Sequence, residues 1–102
     1  MKRLVFAEPA ARDLEGIVDY IALDNPAAAE RVFREVVRTA QSLTEFPALG
    51  RPGRCPGTRE LSIADLPYLI VYEAGPDTVT ILAVFHTARD LVRALAGRMQ
   101  GR

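Results

Sequence analysis

Cysteine, histidine and lysine are nearly absent from this 102-residue chain, which has one of each: Cys55, His86 and Lys2. A single cysteine rules out an internal disulfide and fits a reducing compartment such as the cytoplasm. One thiol and one imidazole are too few for a tetrahedral zinc site, so no metal and no other cofactor is expected. Net charge is also missing, since thirteen basic residues balance thirteen acidic ones. That balance argues against sequence-blind binding to duplex nucleic acid, which depends on neutralising phosphates. No stretch approaches the roughly 20 apolar residues of a membrane span, so no membrane partner is expected. Met1-Lys2-Arg3-Leu4-Val5-Phe6 has a basic start without a long apolar region behind it, so it does not read as a signal peptide.

What is present points to a globular domain. Hydrophobic residues make up 49% of the chain, too many for a disordered segment. The length suits one modest core, and a single domain over residues 1–102 is expected. The charge is unevenly placed. Residues 1–50 hold six basic and eight acidic side chains, and residues 51–102 hold seven and five. Near the end, Arg89, Arg93, Arg98 and Arg102 face Asp90 alone. Such a stretch could meet an acidic surface or a phosphate, or could simply be a solvated helix face.

Periodicity supplies the elements. Leu4-Val5-Phe6 reads as a short strand. Pro9 suits a first helical turn, and Leu14, Ile17, Val18 and Ile21 form one apolar stripe on a helix over about 9–23. Asn25 is a good N-cap, with Pro26 at the first position of a second helix. Ala29, Val32, Phe33, Val36, Val37, Ala40 and Leu43 share one face of it, with Glu30–Arg34 and Arg31–Glu35 as outer i, i+4 pairs. The very short connection between the two helices predicts an antiparallel hairpin. Residues 47–57, with three prolines and three glycines, read as a loop. From Thr58 the period becomes two, with Arg59, Leu61 and Ile63 alternating with Thr58, Glu60 and Ser62. Asp65-Leu66-Pro67 is a turn, Tyr68 to Glu73 a strand, and Gly75-Pro76-Asp77 a tight connection. Thr78 to His86 is apolar on both sides near its end, so it should be central in the sheet. Thr87 and Asp90 have the spacing of a capping box for a short final helix. The fold class that follows is α+β: a helical hairpin on a small, twisted, mainly antiparallel sheet, in the order β-α-α-β-β-β with a short C-terminal helix.

The residues along this order resemble the ParE/RelE toxins of bacterial type II toxin–antitoxin pairs. The resemblance runs through Asn25-Pro26-Ala27-Ala28-Ala29, Phe46-Pro47-Ala48-Leu49-Gly50-Arg51 and Gly57-Thr58-Arg59-Glu60-Leu61. It continues in Pro67-Tyr68-Leu69-Ile70-Val71-Tyr72 and closes in His86-Thr87-Ala88-Arg89-Asp90. The spacing is closer to the ParE branch, whose members poison DNA gyrase, than to the ribosome-dependent ribonucleases of the RelE branch. Ribonuclease members carry a basic residue just after the first tyrosine of the Tyr-x-x-x-Tyr strand, where this chain has Leu69. They also carry several basic residues after the last strand, where this chain has His86, Thr87 and a single Arg89.

The resemblance implies a toxin that causes growth arrest, of the kind used in plasmid stabilisation. Its partners would be a cognate ParD-like antitoxin, in a toxin–antitoxin hetero-oligomer, and a target, either DNA gyrase or the ribosome. An mRNA interferase and a degenerate member that acts only as an interaction partner are the alternatives. His86, Arg89 and Glu60 are the catalytic candidates if the chain is a nuclease. An imidazole titrates near neutrality, so His86 suits acid–base work; the alternative is a strand-end histidine bonded to the sheet. Arg59, Tyr68, His86, Arg89 and Arg93 are the candidate target-facing surface. Arg59, if covered, needs a carboxylate such as Glu60 or Asp90, and Tyr68 and Tyr72 are core or rim aromatics. The antitoxin is expected to wrap the hairpin at Ala28, Arg31, Val32 and Glu35. Cys55 is read as incidental.

Overall fold

The structure, a computed structural model, describes residues 1–87. The short helix expected after Thr87, its capping box, Arg89 and Arg93 lie outside the described residues.

Strand β1 (Arg3–Phe6) leads into helix α1 (Glu8–Ala22), and helix α2 (Pro26–Glu45) follows. Strands β2 (Arg51–Pro52), β3 (Arg59–Ser62), β4 (Tyr68–Ala74) and β5 (Thr78–His86) complete the described chain. The sheet order is β1-β5-β4-β3-β2. β1 runs parallel to β5, and the other three pairings are antiparallel. As expected, β5 lies inside the sheet.

The Asn25 side chain accepts a hydrogen bond from the Ala28 amide at 3.1 Å, capping α2, with Pro26 at its first position. Ala29, Val32, Val36, Ala40 and Leu43 then face the sheet and are buried. Val32, Val36, Ala40 and Leu43 meet Leu14 of α1, Ile70 and Tyr72 of β4, and Val79, Ile81 and Val84 of β5 in one core. The opposite side of the sheet carries a second, smaller cluster of Leu69, Val71, Ala83 and Phe85.

Four expectations are corrected. Residues 47–57 are not all loop, because Arg51–Pro52 pairs with β3 as an edge strand. Proline, which has no N–H to give, is tolerated at such an edge. Phe33 is 46% exposed and does not join the buried stripe of α2. Glu35 pairs with Arg38 at 3.5 Å and not with Arg31, whereas the Glu30–Arg34 pair forms at 2.7 Å. Among the described residues Arg59 takes the Gly50 carbonyl and not Glu60, as described below, while Asp90 lies outside them.

Between β4 and β5 the register shifts at Val71/Tyr72. Val71 pairs with Ala83 but Tyr72 pairs with Ile81, which leaves Leu82 as an extra residue. Such a bulge reverses the facing of everything after it. Val84 and His86 therefore lie on the helix side, where a regular strand would have put Ala83 and Phe85. Helix α1 secures the irregularity: the Val84 amide donates to Asp13 Oδ2 at 3.0 Å.

Candidate functional site

Two tyrosines on the helix-facing side of β4 organise the two ends of the site. Tyr72 is fully buried. Its hydroxyl donates to the Pro47 carbonyl at 2.7 Å and accepts from the Gly50 amide at 2.9 Å. The chain leaving α2 is thus fastened to the middle of the sheet. A side chain at Gly50 would start 2.8 Å from Tyr72 and from the Glu60 carbonyl oxygen, so the close approach requires glycine. The Gly50 carbonyl accepts from Arg59 Nη1 at 2.7 Å. Arg59 is therefore half-buried and engaged by the same turn, its charge facing a backbone dipole.

At the other end, Tyr68 pairs with His86 across β4 and β5. Their rings meet edge to face, with centroids 5.5 Å apart and planes at 89°. This geometry suits the charge distribution of aromatic rings. His86 is half-buried and Tyr68 buried. The imidazole thus lies at the rim of the helix-side core, where the bulge has turned it.

Arg59 and Glu60, the remaining described candidates, do not gather at His86. Arg59 is opposite Tyr72, four residues along β4 from the partner of His86, or about 13 Å at ~3.3 Å per residue. Glu60 points to the opposite face of the sheet and is buried, its side chain 3% exposed. Its carboxylate accepts from the Arg54 amide at 3.0 Å and faces Arg51 Nη2 at 3.7 Å. A buried carboxylate held by a backbone amide and a guanidinium organises the 51–60 turn. Among the described residues, no group of three or more His, Cys, Asp or Glu side chains could hold a metal ion. Cys55 is partly buried with a free thiol, and its carbonyl accepts from the Thr58 amide and hydroxyl.

On the hairpin, Arg31 is exposed and Ala28 and Glu35 are half-buried. Val32 is buried against the sheet and presents little surface to a partner. Sequence reasoning missed Asp13 and Gly50. Asp13 gave no signal, because the bulge it serves has none. Gly50 reads in the sequence as a helix exit with Pro47, but nothing there shows its close approach to Tyr72. No helix among the described residues is long and apolar enough to cross a membrane.

Comparison with known proteins agrees with this architecture. Residues 4–91 match the family model of the ParE toxin of the type II toxin–antitoxin system parDE. The putative toxin Y4kP of Sinorhizobium fredii is 46% identical over 85 residues, covering 83% of this chain and 88% of that protein. Toxin RelE2 of Caulobacter vibrioides is 36% identical over 89 residues, covering 87% and 99%. Among solved structures, the chromosomal ParDE system of P. aeruginosa superposes with a TM-score of 0.76 at 25% identity, covering 84% of this chain and 96% of that one. The RelBE2 toxin–antitoxin complex of Mycobacterium tuberculosis gives 0.61 at 27% identity, covering 83% and 96%. A match over most of its length, on the helical hairpin and sheet described above, places this chain in the ParE toxin family of type II toxin–antitoxin systems.

Proposed function

We propose that this toxin acts without catalysis, by binding DNA gyrase, and that a ParD-like antitoxin neutralises it by covering the helical hairpin. The observation that carries this reading is the position of Glu60. Cleaving RNA through its 2′-hydroxyl needs a base, an acid and cationic stabilisation of the phosphorane within reach of one another. Glu60 is buried on the face of the sheet away from His86 and is bonded to the Arg54 amide. Arg59 is committed to the Gly50 carbonyl. Neither Glu60 nor Arg59 is placed at the His86 end of β4. Leu69, after the first tyrosine of β4, also supports the gyrase reading over an mRNA interferase. On this reading His86 forms part of a contact surface, with buried Tyr68 supporting it from the core; Arg89 and Arg93, the other residues expected there, lie outside the described residues. The antitoxin contacts Ala28, Arg31 and Glu35, with Val32 supporting them from the core. The ParDE and RelBE2 neighbours, both toxin–antitoxin systems, support an antitoxin partner.

The test is DNA supercoiling by purified gyrase with the toxin added. Inhibition and trapped double-strand breaks are expected. A preparation that arrests growth in cells but leaves gyrase untouched rules the proposal out. The ribonuclease alternative is tested by mRNA cleavage on ribosomes, which on the gyrase reading stays at background with the wild-type chain and with His86→Ala alike. A chain that arrests nothing when expressed alone would instead be an interaction partner only.

A further inference from the structure

The turn between α2 and β2 is anchored but not covered. The Leu49 amide donates to the Phe46 carbonyl at 3.1 Å, which closes the turn. The Tyr72 hydroxyl holds it from beneath through Pro47 and Gly50. Yet Phe46 is 59% and Leu49 56% exposed at its two ends. The loop after β2 is fixed in the same manner. The Gly53 amide donates to the Thr58 carbonyl at 2.8 Å, and the Arg54 amide donates to buried Glu60. Arg54 is exposed, and its side chain has no ion-pair partner among the described residues. From Phe46 to Arg59 the sequence has Arg51, Arg54 and Arg59 and no acid. The flanking acids are Glu45, at the end of α2, and Glu60, which is buried. Pro52 lies in edge strand β2. It has no N–H to offer a further strand, so a partner cannot extend the sheet there by a full ladder and has to read side chains.

We propose that residues 46–54 dock a protein surface with an apolar recess and an acidic rim. Phe46 and Leu49 enter the recess, and Arg54 meets a carboxylate of the rim. That surface belongs to the toxin's target, so the inference rests on the reading that the toxin acts by binding one. Aromatic and arginine side chains carry much of the energy at protein interfaces. A turn already held by Tyr72 loses little freedom on docking, and the charge match selects the partner. Duplex DNA fits this stretch less well. Phosphates gain nothing from Phe46 and Leu49, and the chain has no net positive charge to draw them. The antitoxin stripe at Ala28, Arg31 and Glu35 is elsewhere on α2, since Phe46 follows Glu35 by about 16 Å of helix at ~1.5 Å per residue.

The experiment uses the full chain as wild type, as the Phe46→Ser/Leu49→Ser double variant and as Arg54→Glu. Each is assayed for inhibition of purified gyrase, for growth arrest and for affinity to the cognate antitoxin. The double variant should need about tenfold more toxin for half-inhibition, and Arg54→Glu about fivefold more. The Arg54→Glu deficit should shrink at high salt, and Arg54→Lys should keep most of the potency. Antitoxin affinity and melting temperature should stay at wild-type values, because the changed side chains are exposed. Variants as potent as wild type in both activity assays would overturn the proposal. So would lost antitoxin affinity with potency intact, which would give the turn to the antitoxin. DNA binding by the toxin alone that Arg54→Glu abolishes and the double variant keeps would give it to nucleic acid and overturn the proposal as well. If the wild type arrests growth but leaves gyrase untouched, the gyrase reading falls, and the same variants decide the turn by growth arrest. A wild-type chain that does neither overturns both.

Discussion

Tyr68 and Tyr72 occupy the same strand and the same face, four residues apart, yet they do different work. Tyr72 has its hydroxyl saturated by Pro47 and Gly50 and lies beneath a turn that also engages Arg59. Tyr68 meets the edge of His86 at the rim of the core. One end of β4 is a joint that fixes how α2 hands over to the sheet. The other presents a strand end. Burial alone does not separate them, since both tyrosines are buried; the partners do. The lesson is that a buried tyrosine whose hydroxyl is bonded to loop backbone fixes the path of the chain, whereas one of equal burial can serve to place a half-buried imidazole at the rim of the core.

Substitutions can break this comparison. The largest expected effect is that of Gly50→Ala, which forces a methyl group into the Tyr72 hydroxyl and the Glu60 carbonyl oxygen. It should cost about 2–3 kcal/mol in urea unfolding. Tyr72→Phe comes next. It leaves the Gly50 amide without its partner in a buried site and should cost about 2 kcal/mol by the same measurement. Asp13→Ala removes the acceptor for the Val84 amide, with an expected loss of about 1–2 kcal/mol and faster hydrogen exchange at Val84. His86→Ala should be the mildest, at about 1 kcal/mol for the lost ring contact. On the binding reading it changes growth arrest only as far as it weakens target contact. If His86→Ala destabilises the chain more than Tyr72→Phe, the distinction between the two ends is wrong.

Much of the architecture could be read from residues. The Asn25-Pro26 start, the apolar stripes of both helices and the limits of β5 follow from local rules that the rest of the chain does not override. The features that decide the site are different in kind. β2 is two residues long and begins inside a proline- and glycine-rich stretch, so it carries no alternating pattern. The Leu82 bulge leaves no trace in a run where every residue is apolar. As a result the side of the sheet on which His86 emerges could not be read from the sequence. Alternation did separate Glu60 from Arg59, but it could not tell that the Glu60 side would be covered or that Arg59 would take a carbonyl. Phe33 follows the helical period of its buried neighbours and still lies outside, because the hairpin flank stops short of it. Arg89 and Arg93, also expected at the site, lie outside the described residues.

The only lysine has a consequence for how this toxin can be handled. Lys2 Nζ donates to the carbonyls of Gly75 and Pro76 at 2.6 and 2.8 Å, clasping the β4–β5 turn to the start of the chain. In this sequence Lys2 is the one side chain that amine-directed reagents can acylate. Acylating the side chain would erase the charge that the turn carbonyls hold, so biotinylation or surface coupling through amines would loosen a fastening of the fold as it attached the label.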